Sequence, residues 1–336
     1  MSEKPDFPKV ELHRHLELSL RPETIWELAP QFGINLASQK DFQNRFMILE
    51  PMKDLSSVLN KFLDTQKLLA SPEILQRVAY EACVDAYLKE GIKILELRYA
   101  PTFVQLGHNM SFSTIHEAIV EGIVRAELEY PIAVGLICII QRILPVDVAE
   151  TVVDFALENK DTFVGLDLAD NEEGFDSKPF APLFLRAKKA GLGITIHSGE
   201  APHPKAAHWV MDAIQVLGAQ RIGHGVQIYR DEAIMTSVRE QKIVLELCPT
   251  SNMLTQAVSH IKFHPLKKLF DFGILTTINT DDPGIFNTNI GREHRIAREE
   301  LGLSVADLQK CTQIAAEASF IPRAKRQKVW PSPLPT

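Results

Sequence analysis

Eight short apolar runs alternate with longer helix-like stretches along this chain of 336 residues. Near-continuous apolar runs of this length are typical of parallel strands covered on both faces, and helices connect such strands. Eight repeats of a strand and a helix predict an α/β fold, a closed (β/α)8 TIM barrel in a single domain over 1–336. The predicted strands are Pro8–His15, Ile92–Tyr99, Ile132–Ile140, Phe163–Leu168, Gly193–His197, Arg221–His224, Ile243–Cys248 and Leu275–Thr280.

An open, doubly wound sheet in two domains is the alternative arrangement of alternating strands and helices. Nucleotide-binding sheets of that kind carry a glycine-rich phosphate loop with the pattern G-x-G-x-x-G or G-x-x-x-x-G-K-[ST]. Neither pattern occurs in this sequence. The closed barrel is therefore favoured over the open sheet.

The connection between the first and second predicted strands is unusually long and has helical patterns at Arg21–Pro30, Leu55–Leu69 and Ser71–Leu88. Insertions that follow a barrel strand lie at the carboxyl ends of the strands, where active sites of this fold are found. We therefore expect residues 18–90, approximately, to form a helical insertion over an active site. The basic, proline-rich segment 323–336 is expected to be a frayed tail.

Charge and cysteine content exclude several classes of protein. With 36 basic and 43 acidic residues the net charge is −7, whereas nucleic acids and anionic membranes favour positive surfaces. The four cysteines form no Cys-x-x-Cys pair, which excludes a disulfide scaffold and a thiolate zinc ribbon. The amino-terminal residues are too charged for a signal peptide, and the longest apolar run, Ile132–Ile140, is too short to span a membrane. These features predict a cytoplasmic protein whose main partner is neither a nucleic acid nor a membrane.

Histidines and carboxylates stand at the ends of four predicted strands. Because strand side chains alternate between faces, His13 and His15 at the end of the first strand point to the same side. The carboxyl ends of barrel strands converge on one small volume, and nitrogen and oxygen ligands without thiolates are typical of a catalytic zinc. The other residues of this kind are His197 and Glu200 after the fifth strand, His224 after the sixth, and Asp281 and Asp282 after the eighth.

These motifs resemble those of the adenosine deaminase family, within the metal-dependent amidohydrolase superfamily. The matching segments occur in the family order over nearly the whole chain. Three of them, H-x-H, H-[AS]-G-E and T-D-D-P, are highly specific when they occur together. The segments are Lys9–Glu17, Glu96–Pro101, Asp167–Ala169, His197–Glu200, Gly223–Gly225, Leu247–Asn252, Asn279–Pro283 and Ser319–Pro322.

The resemblance implies one metal ion per chain, normally Zn²⁺, with a water completing its coordination. A metal-bound water has a pKa of about 7 and supplies a nucleophile at neutral pH. Metal centres with two ions in this superfamily usually have a lysine at the end of the fourth strand, and this chain has none there. The implied metal ligands are His13, His15, His197 and Asp281.

The resemblance also implies roles in catalysis and substrate binding. Glu200 is implied to protonate purine ring nitrogen one, and this requires a pKa raised by a dry pocket. His224 is implied to hydrogen-bond the water, and Asp281 to orient it and help take its proton. Glu17 is implied to contact the sugar end of the substrate and Asp282 to contact ring nitrogen seven. The implied reaction is hydrolytic deamination of adenosine, or of a closely related adenine-containing nucleoside, to the 6-oxo product and ammonia.

Two residues depart from the family pattern near the substrate. Leu18 and Asp170 stand where the family usually has glycine, and the second glycine brings its backbone amide close to the purine. One hypothesis is that Leu18 crowds the sugar end and Asp170 adds an acceptor, so that adenosine is a poor or secondary substrate. The alternative is a small backbone adjustment that leaves specificity unchanged.

Several alternative functions remain open from the sequence. Within the family, adenine, aminofutalosine or a substituted adenosine are alternative substrates, and a metal-dependent phosphoesterase or a non-catalytic binding protein are alternatives of other classes. Arg98 and Arg142 are expected to pair with carboxylates such as Glu246 or Asp167. Structural roles alone are expected for His203, His208, His260 and His264.

Overall fold

One sheet of eight parallel strands forms the centre of the computed structural model, which describes residues 7–52 and 55–330. Each strand pairs in parallel with the next strand along the chain, from the first to the eighth. The strands are β1 Lys9–His15, β2 Ile92–Tyr99, β3 Ala133–Gln141, β4 Phe163–Ala169, β5 Gly193–Ser198, β6 Arg221–His224, β7 Val244–Leu247 and β8 Leu275–Ile278.

The sheet closes where the segment after β8 meets β1. The main-chain N–H of Asp281 donates to the carbonyl of His13 at 2.9 Å, and the N–H of His15 donates to the carbonyl of Asp281 at 3.0 Å. A side-chain contact supports the same junction, because the Leu12 N–H donates to the amide oxygen of Asn279 at 3.1 Å. The predicted TIM barrel is confirmed.

Helices surround the strands, and several begin at the residues that favour helix starts. The hydroxyl groups of Ser71 and Ser111 accept main-chain N–H groups of the first turn, and Ser304 forms a capping box with Asp307. In the described residues, no helix has the length and apolar character needed to cross a bilayer. The helices are α1 Pro22–Leu28, α2 Gln39–Phe46, α3 Leu55–Gln66, α4 Pro72–Leu88, α5 Pro101–Gln105, α6 Phe112–Glu129, α7 Val146–Glu158, α8 Ala181–Lys189, α9 Ala206–Gln215, α10 Glu232–Glu240, α11 Pro249–Leu254, α12 Leu266–Asp271, α13 Pro283–Phe286, α14 Ile290–Glu299, α15 Val305–Ala318 and α16 Arg323–Val329.

The connection between β1 and β2 contains α1, α2, α3 and α4. Its middle part is bonded to the segments that follow the last two strands. The N–H of Ile48 donates to the carbonyl of Ile285 at 2.8 Å, and the N–H of Met52 donates to the carbonyl of Leu254 at 2.9 Å. Apolar packing of Leu18 and Ile48 with the same segments holds this part of the insertion at the carboxyl ends of β7 and β8.

The opposite end of the barrel is filled by Phe320 and Ile321, which we call the floor plug. Glycines in three strands make room for it, since a Cβ atom added at Gly193 would lie 2.2 Å from the Phe320 ring and one at Gly135 would lie 2.6 Å from Ile321. Real Cβ atoms do not approach other atoms this closely. The plug therefore explains why the segment Ser319–Pro322 belongs to the motifs of the sequence.

A chain of buried ion pairs leads from the floor plug into the barrel. Glu96 accepts hydrogen bonds from the Ser319 hydroxyl at 2.7 Å and the Phe320 N–H at 2.5 Å. Arg221 connects Glu96, at 2.5 Å, to Glu246, at 2.7 Å. All three charged side chains are buried, so each depends on the others for compensation of its charge.

The expectation of a frayed tail over 323–336 is wrong for its first part. Residues Arg323–Val329 form α16, and Trp330 behind it is buried against the barrel. Arg326 donates to the last carbonyls of α15, those of Ala316 and Glu317, and so satisfies acceptors that a helix end leaves open. Residues 331–336 lie outside the described part of the chain.

Candidate active site

Side chains of His13, His15, His197 and Asp281 approach one another at the carboxyl ends of β1, β5 and β8. Donor atoms of His13, His197, His224 and Asp281 lie within 4.8 Å of one another, and His15 lies in a second such group with Asp281 and Asp282. His15 Nε2 lies 3.3 Å from His197 Nε2 and 3.3 Å from Asp281 Oδ1. His13 Nε2 lies 3.4 Å from Asp281 Oδ1. Ligand atoms at ~2.0–2.1 Å from a tetrahedral zinc are about 3.3 Å apart, so these three separations fit such an ion. The structure thus brings together the four residues predicted as ligands.

Buried carboxylates fix the imidazole rings on the side away from this cluster. His13 Nδ1 lies 2.7 Å from Glu246 Oε2, and His197 Nδ1 lies 2.9 Å from Asp167 Oδ2. A carboxylate at Nδ1 holds the ring proton there and leaves the Nε2 lone pair for a metal. His13 Nε2 is buried and has no hydrogen-bond partner. This unpaired nitrogen is therefore available to bind a metal ion.

The expectation for the two arginines is half correct. Arg98 binds both of these carboxylates, Asp167 at 2.7 Å and Glu246 at 2.8 Å, as predicted. Arg142 instead donates to the carbonyls of Leu168 and His197. It lies at the ends of β4 and β5, where open main-chain acceptors take its hydrogen bonds in place of a carboxylate.

The backbone is strained at two of the site residues. His224 and Asp281 both have φ of +64°, in the left-handed region that non-glycine residues rarely adopt. Gly223, before His224, has a spatial role, because a Cβ there would lie 2.8 Å from Cε1 of His13. The glycine therefore makes room for a predicted ligand.

Glu200 lies beside the ligand cluster and faces His224. Its Oε1 accepts a hydrogen bond from the Thr255 hydroxyl at 2.8 Å, and its Oε2 lies 3.5 Å from Nε2 of His224. Burial raises the pKa of Glu200 to about 7, and the nearby charge of Asp281 acts in the same direction. A carboxyl of this pKa is suited to donate a proton at neutral pH.

The loop that carries Glu200 is held by Glu172, a residue that the sequence analysis missed. The carboxylate of Glu172 accepts the main-chain N–H groups of Gly199 at 2.8 Å, Glu200 at 2.7 Å and Ala201 at 2.5 Å. The side chain is buried, although it lies in the loop after β4. A carboxylate three residues beyond the Asp167–Ala169 motif was the available signal.

Glu17 and Asp282 each present a buried carboxylate oxygen without a partner. Glu17 Oε1 accepts the Ala100 N–H at 2.6 Å, whereas Glu17 Oε2 and Asp282 Oδ1 accept no hydrogen bond. Burial raises the pKa of Glu17, and burial together with the charge of Asp281 raises that of Asp282 well above its usual range. Both oxygens are therefore available to a polar ligand.

The two residues that depart from the family pattern are engaged in local contacts. Leu18 is buried among Ile48, Leu254, Ile285 and Phe286. Asp170 has φ of +82°, the region a glycine adopts readily, and its carboxylate accepts from Gln141 Nε2 at 3.0 Å and from the Asn171 N–H at 2.8 Å. The backbone at 170 thus has a glycine-like conformation.

A TIM barrel with histidine and aspartate donors at the ends of its strands, and a protonatable carboxyl beside them, defines a metal-dependent hydrolase of the amidohydrolase type. The family model described as "Adenosine deaminase" matches residues 8–331. The chain belongs to the adenosine deaminase family and is a hydrolase that acts on C–N bonds. This assignment removes support from the phosphoesterase alternative.

Relatives and solved structures agree with this assignment. The chain is 36% identical over 326 residues to the adenosine deaminase of Shewanella denitrificans, covering 96% of this chain and 97% of the relative. A zinc-bound amidohydrolase from Burkholderia ambifaria matches with a TM-score of 0.84 and 25% identity, over 96% of this chain and 88% of that one. Arabidopsis ADAL complexed with IMP matches with a TM-score of 0.81 and 28% identity, over 96% and 95%.

Proposed function

We propose that the protein is a zinc-dependent adenosine deaminase with one Zn²⁺ per chain. The observation that carries the proposal is the placement of the four donors His13, His15, His197 and Asp281 beside Glu200, a partly buried carboxyl whose pKa is raised to about 7. The cluster fits the ion that activates water, and the carboxyl fits the acid that a poor leaving group needs. The relative named above is an adenosine deaminase, and the zinc-bound amidohydrolase supports zinc as the metal.

The proposed reaction adds water to C6 of the purine and releases ammonia. A bound zinc ion supplies the activated water, because it lowers the pKa of that water to about 7. Glu200 protonates ring nitrogen one, which makes C6 electrophilic. Asp281, whose Oδ2 is held by the Ser251 hydroxyl at 2.6 Å, takes a proton from the attacking water and gives it to the departing amino group, which leaves as ammonia. The proton of the new C6 hydroxyl returns to Glu200 as the 6-oxo group forms. His224 donates a hydrogen bond to the oxygen that joins C6.

Substrate binding is assigned to the two unpaired carboxylate oxygens. Purine nitrogen seven is only an acceptor, so Asp282 has to be protonated to bind it, and its raised pKa supports this assignment. Glu17 Oε2 accepts a hydrogen bond from a hydroxyl group of the ribose. A free base would leave this buried oxygen unpaired, and such losses are penalised strongly. The nucleoside is therefore favoured over adenine.

Location and partners follow from the same proposal. The four cysteines are free and buried, which supports the predicted cytoplasm. The proposed partner is a small-molecule purine, and the binding of IMP by the Arabidopsis neighbour supports it.

A screen of ammonia release tests the proposed substrate. We expect kcat/KM for adenosine of about 10⁵ M⁻¹s⁻¹ or more, within the ordinary enzyme range. We expect adenine to be at least ~10²-fold poorer, because it leaves Glu17 Oε2 unpaired. The measurement compares adenosine, adenine, aminofutalosine and 5′-substituted adenosines, with chelated protein as the blank. Faster turnover of adenine or aminofutalosine than of adenosine would overturn the substrate assignment.

Glu172→Gln is expected to lower kcat for adenosine by about 10-fold, with the zinc content unchanged. The amide has one oxygen for three N–H donors and turns its own donor toward the loop, so Glu200 loses its support. Glu173→Gln is the matched control, because Glu173 is the exposed neighbour. Steady-state kinetics and elemental analysis of both variants make the comparison. Equal kcat in the two variants would contradict the assigned role.

A further inference from the structure

A line of hydrogen bonds leads from His224 away from the active site, through Asn252, to His264. His224 Nδ1 lies 3.0 Å from the amide nitrogen of Asn252, and the amide oxygen lies 3.1 Å from Nε2 of His264. All three side chains are buried. His264 lies outside every motif on which the family resemblance rests, just before α12. From the sequence, only a structural role is expected for His264.

The direction of the first bond is fixed by a main-chain group. The N–H of Cys248 lies 3.3 Å from one terminal atom of the Asn252 amide. A main-chain N–H only donates, so the atom that it meets is the oxygen. The amide nitrogen then faces His224, and because that nitrogen also only donates, Nδ1 of His224 has to accept. Nδ1 of His224 therefore carries no proton.

The far end of the line gives the same direction independently. The N–H of Leu266 donates to His264 Nδ1 at 3.2 Å, so the proton of this ring resides on Nε2. Nε2 then donates to the amide oxygen of Asn252. Burial lowers the pKa of His264 to about 3, which keeps the ring neutral. If every hydrogen bond in the line were reversed, the Asn252 amide nitrogen would face the Cys248 N–H, and a protonated His264 Nδ1 would face the Leu266 N–H. Two donors would then face each other at each place, which is unfavourable in a buried site.

The consequence for His224 concerns the nitrogen that faces the active site. Its single proton lies on Nε2, which is 3.5 Å from Glu200 Oε2 and 3.9 Å from Asp281 Oδ2. A protonated nitrogen has no lone pair for a metal. His224 is thereby excluded from coordination, although one of its ring nitrogens lies within 4.8 Å of donor atoms of His13, His197 and Asp281.

We propose that Asn252 and His264 are positioning residues that hold His224 in the Nε2–H tautomer, as a hydrogen-bond donor to the oxygen that joins C6. The inference rests on the proposed function for that oxygen, whereas the tautomer itself is a property of the enzyme without substrate. Asn252 orients the ring, and His264 orients Asn252.

Nitrogen NMR of the zinc-loaded enzyme, with ¹⁵N-labelled histidine, tests the tautomer directly. We expect His224 to have a protonated Nε2 and an unprotonated Nδ1, and His264 to have the same pattern. His224→Gln and His264→Gln assign the signals by their loss. A proton on Nδ1 of His224 in the unmodified enzyme would overturn the proposal. This readout needs no substrate, so it separates failure of the inference from failure of the proposed function.

Kinetics of two His264 variants test the positioning. His264→Leu removes the donor to Asn252 and is expected to lower kcat for adenosine by about 10-fold, with KM and zinc content within about twofold. His264→Gln keeps an N–H for Asn252 and is expected to recover most of the activity. His260→Gln, at an exposed histidine nearby, is the control. Wild-type kcat in His264→Leu, or equal defects in both His264 variants, would refute positioning; if His264→Leu does not fold, the NMR pattern decides.

Discussion

Glu200→Gln is expected to lower kcat for adenosine by at least ~10²-fold while the zinc content stays at one ion per chain. Glutamine keeps the shape of the side chain and an acceptor for Thr255, but it has no transferable proton. Fixed-time assays of ammonia release measure kcat, and elemental analysis measures the zinc content. Glu240→Gln, at an exposed glutamate of α10, is the matched control and should behave as the unmodified enzyme.

The pH dependence of the unmodified enzyme adds a second readout of the same residue. The pKa of Glu200 is raised to about 7, so the protonated form is present below that pH and is lost as the pH rises through it. We expect kcat/KM of the unmodified enzyme to fall as the pH rises through about 7. We expect no such fall for Glu200→Gln. A variant that keeps near wild-type kcat would show that Glu200 is not the proton donor.

Removal of the metal is expected to lower kcat by at least ~10³-fold, because the metal stabilises the transition state. This fold-change corresponds to about 4 kcal/mol in activation free energy. Chelation should abolish activity and Zn²⁺ should restore it. Elemental analysis should give about one zinc per chain, since four donors define one site. Full activity without metal, or two ions per active chain, would contradict the proposal.

A ligand variant links that loss to the predicted cluster. Asp281→Asn removes the negative charge that lies 3.3 Å from His15 and 3.4 Å from His13. We expect it to bind zinc more weakly and to need added Zn²⁺ for residual activity. Asp271→Asn, at an exposed aspartate of α12, is the control and should retain its zinc through dialysis.

The barrel and the residues at its strand ends could be predicted because they leave periodic or repeated signals. Eight buried strands produce eight apolar runs, and the end of each run marks the place where a side chain enters the active site. His13, His197 and Asp281 were found in this way, and the structure brings them together. The strand that begins at Ala133 differs from its prediction by only one residue at each end.

Residues that act on distant segments through hydrogen bonds leave no such signal. Glu172 binds three N–H groups of the Gly199–Ala201 loop, and His264 reaches His224 through an amide. Both are single polar residues in loops, where no periodicity indicates burial. The helix α16 escaped prediction for a related reason, because its contacts include a buried arginine, Arg326, in place of an apolar stripe.

The floor plug comes from a late part of the chain and supports residues of an earlier part. The order of synthesis therefore affects when the site can assemble. His13 is synthesised before the residues that support it. Glu246 holds its ring, Arg221 binds both Glu246 and Glu96, and the Ser319 hydroxyl and the Phe320 N–H donate to Glu96. Asp281, which closes the barrel onto β1, also emerges late. During translation, His13 therefore precedes both Asp281 and the residues that support its ring by a long stretch of chain. We expect tight metal binding only after the segment through Phe320 has left the ribosome and joined the barrel.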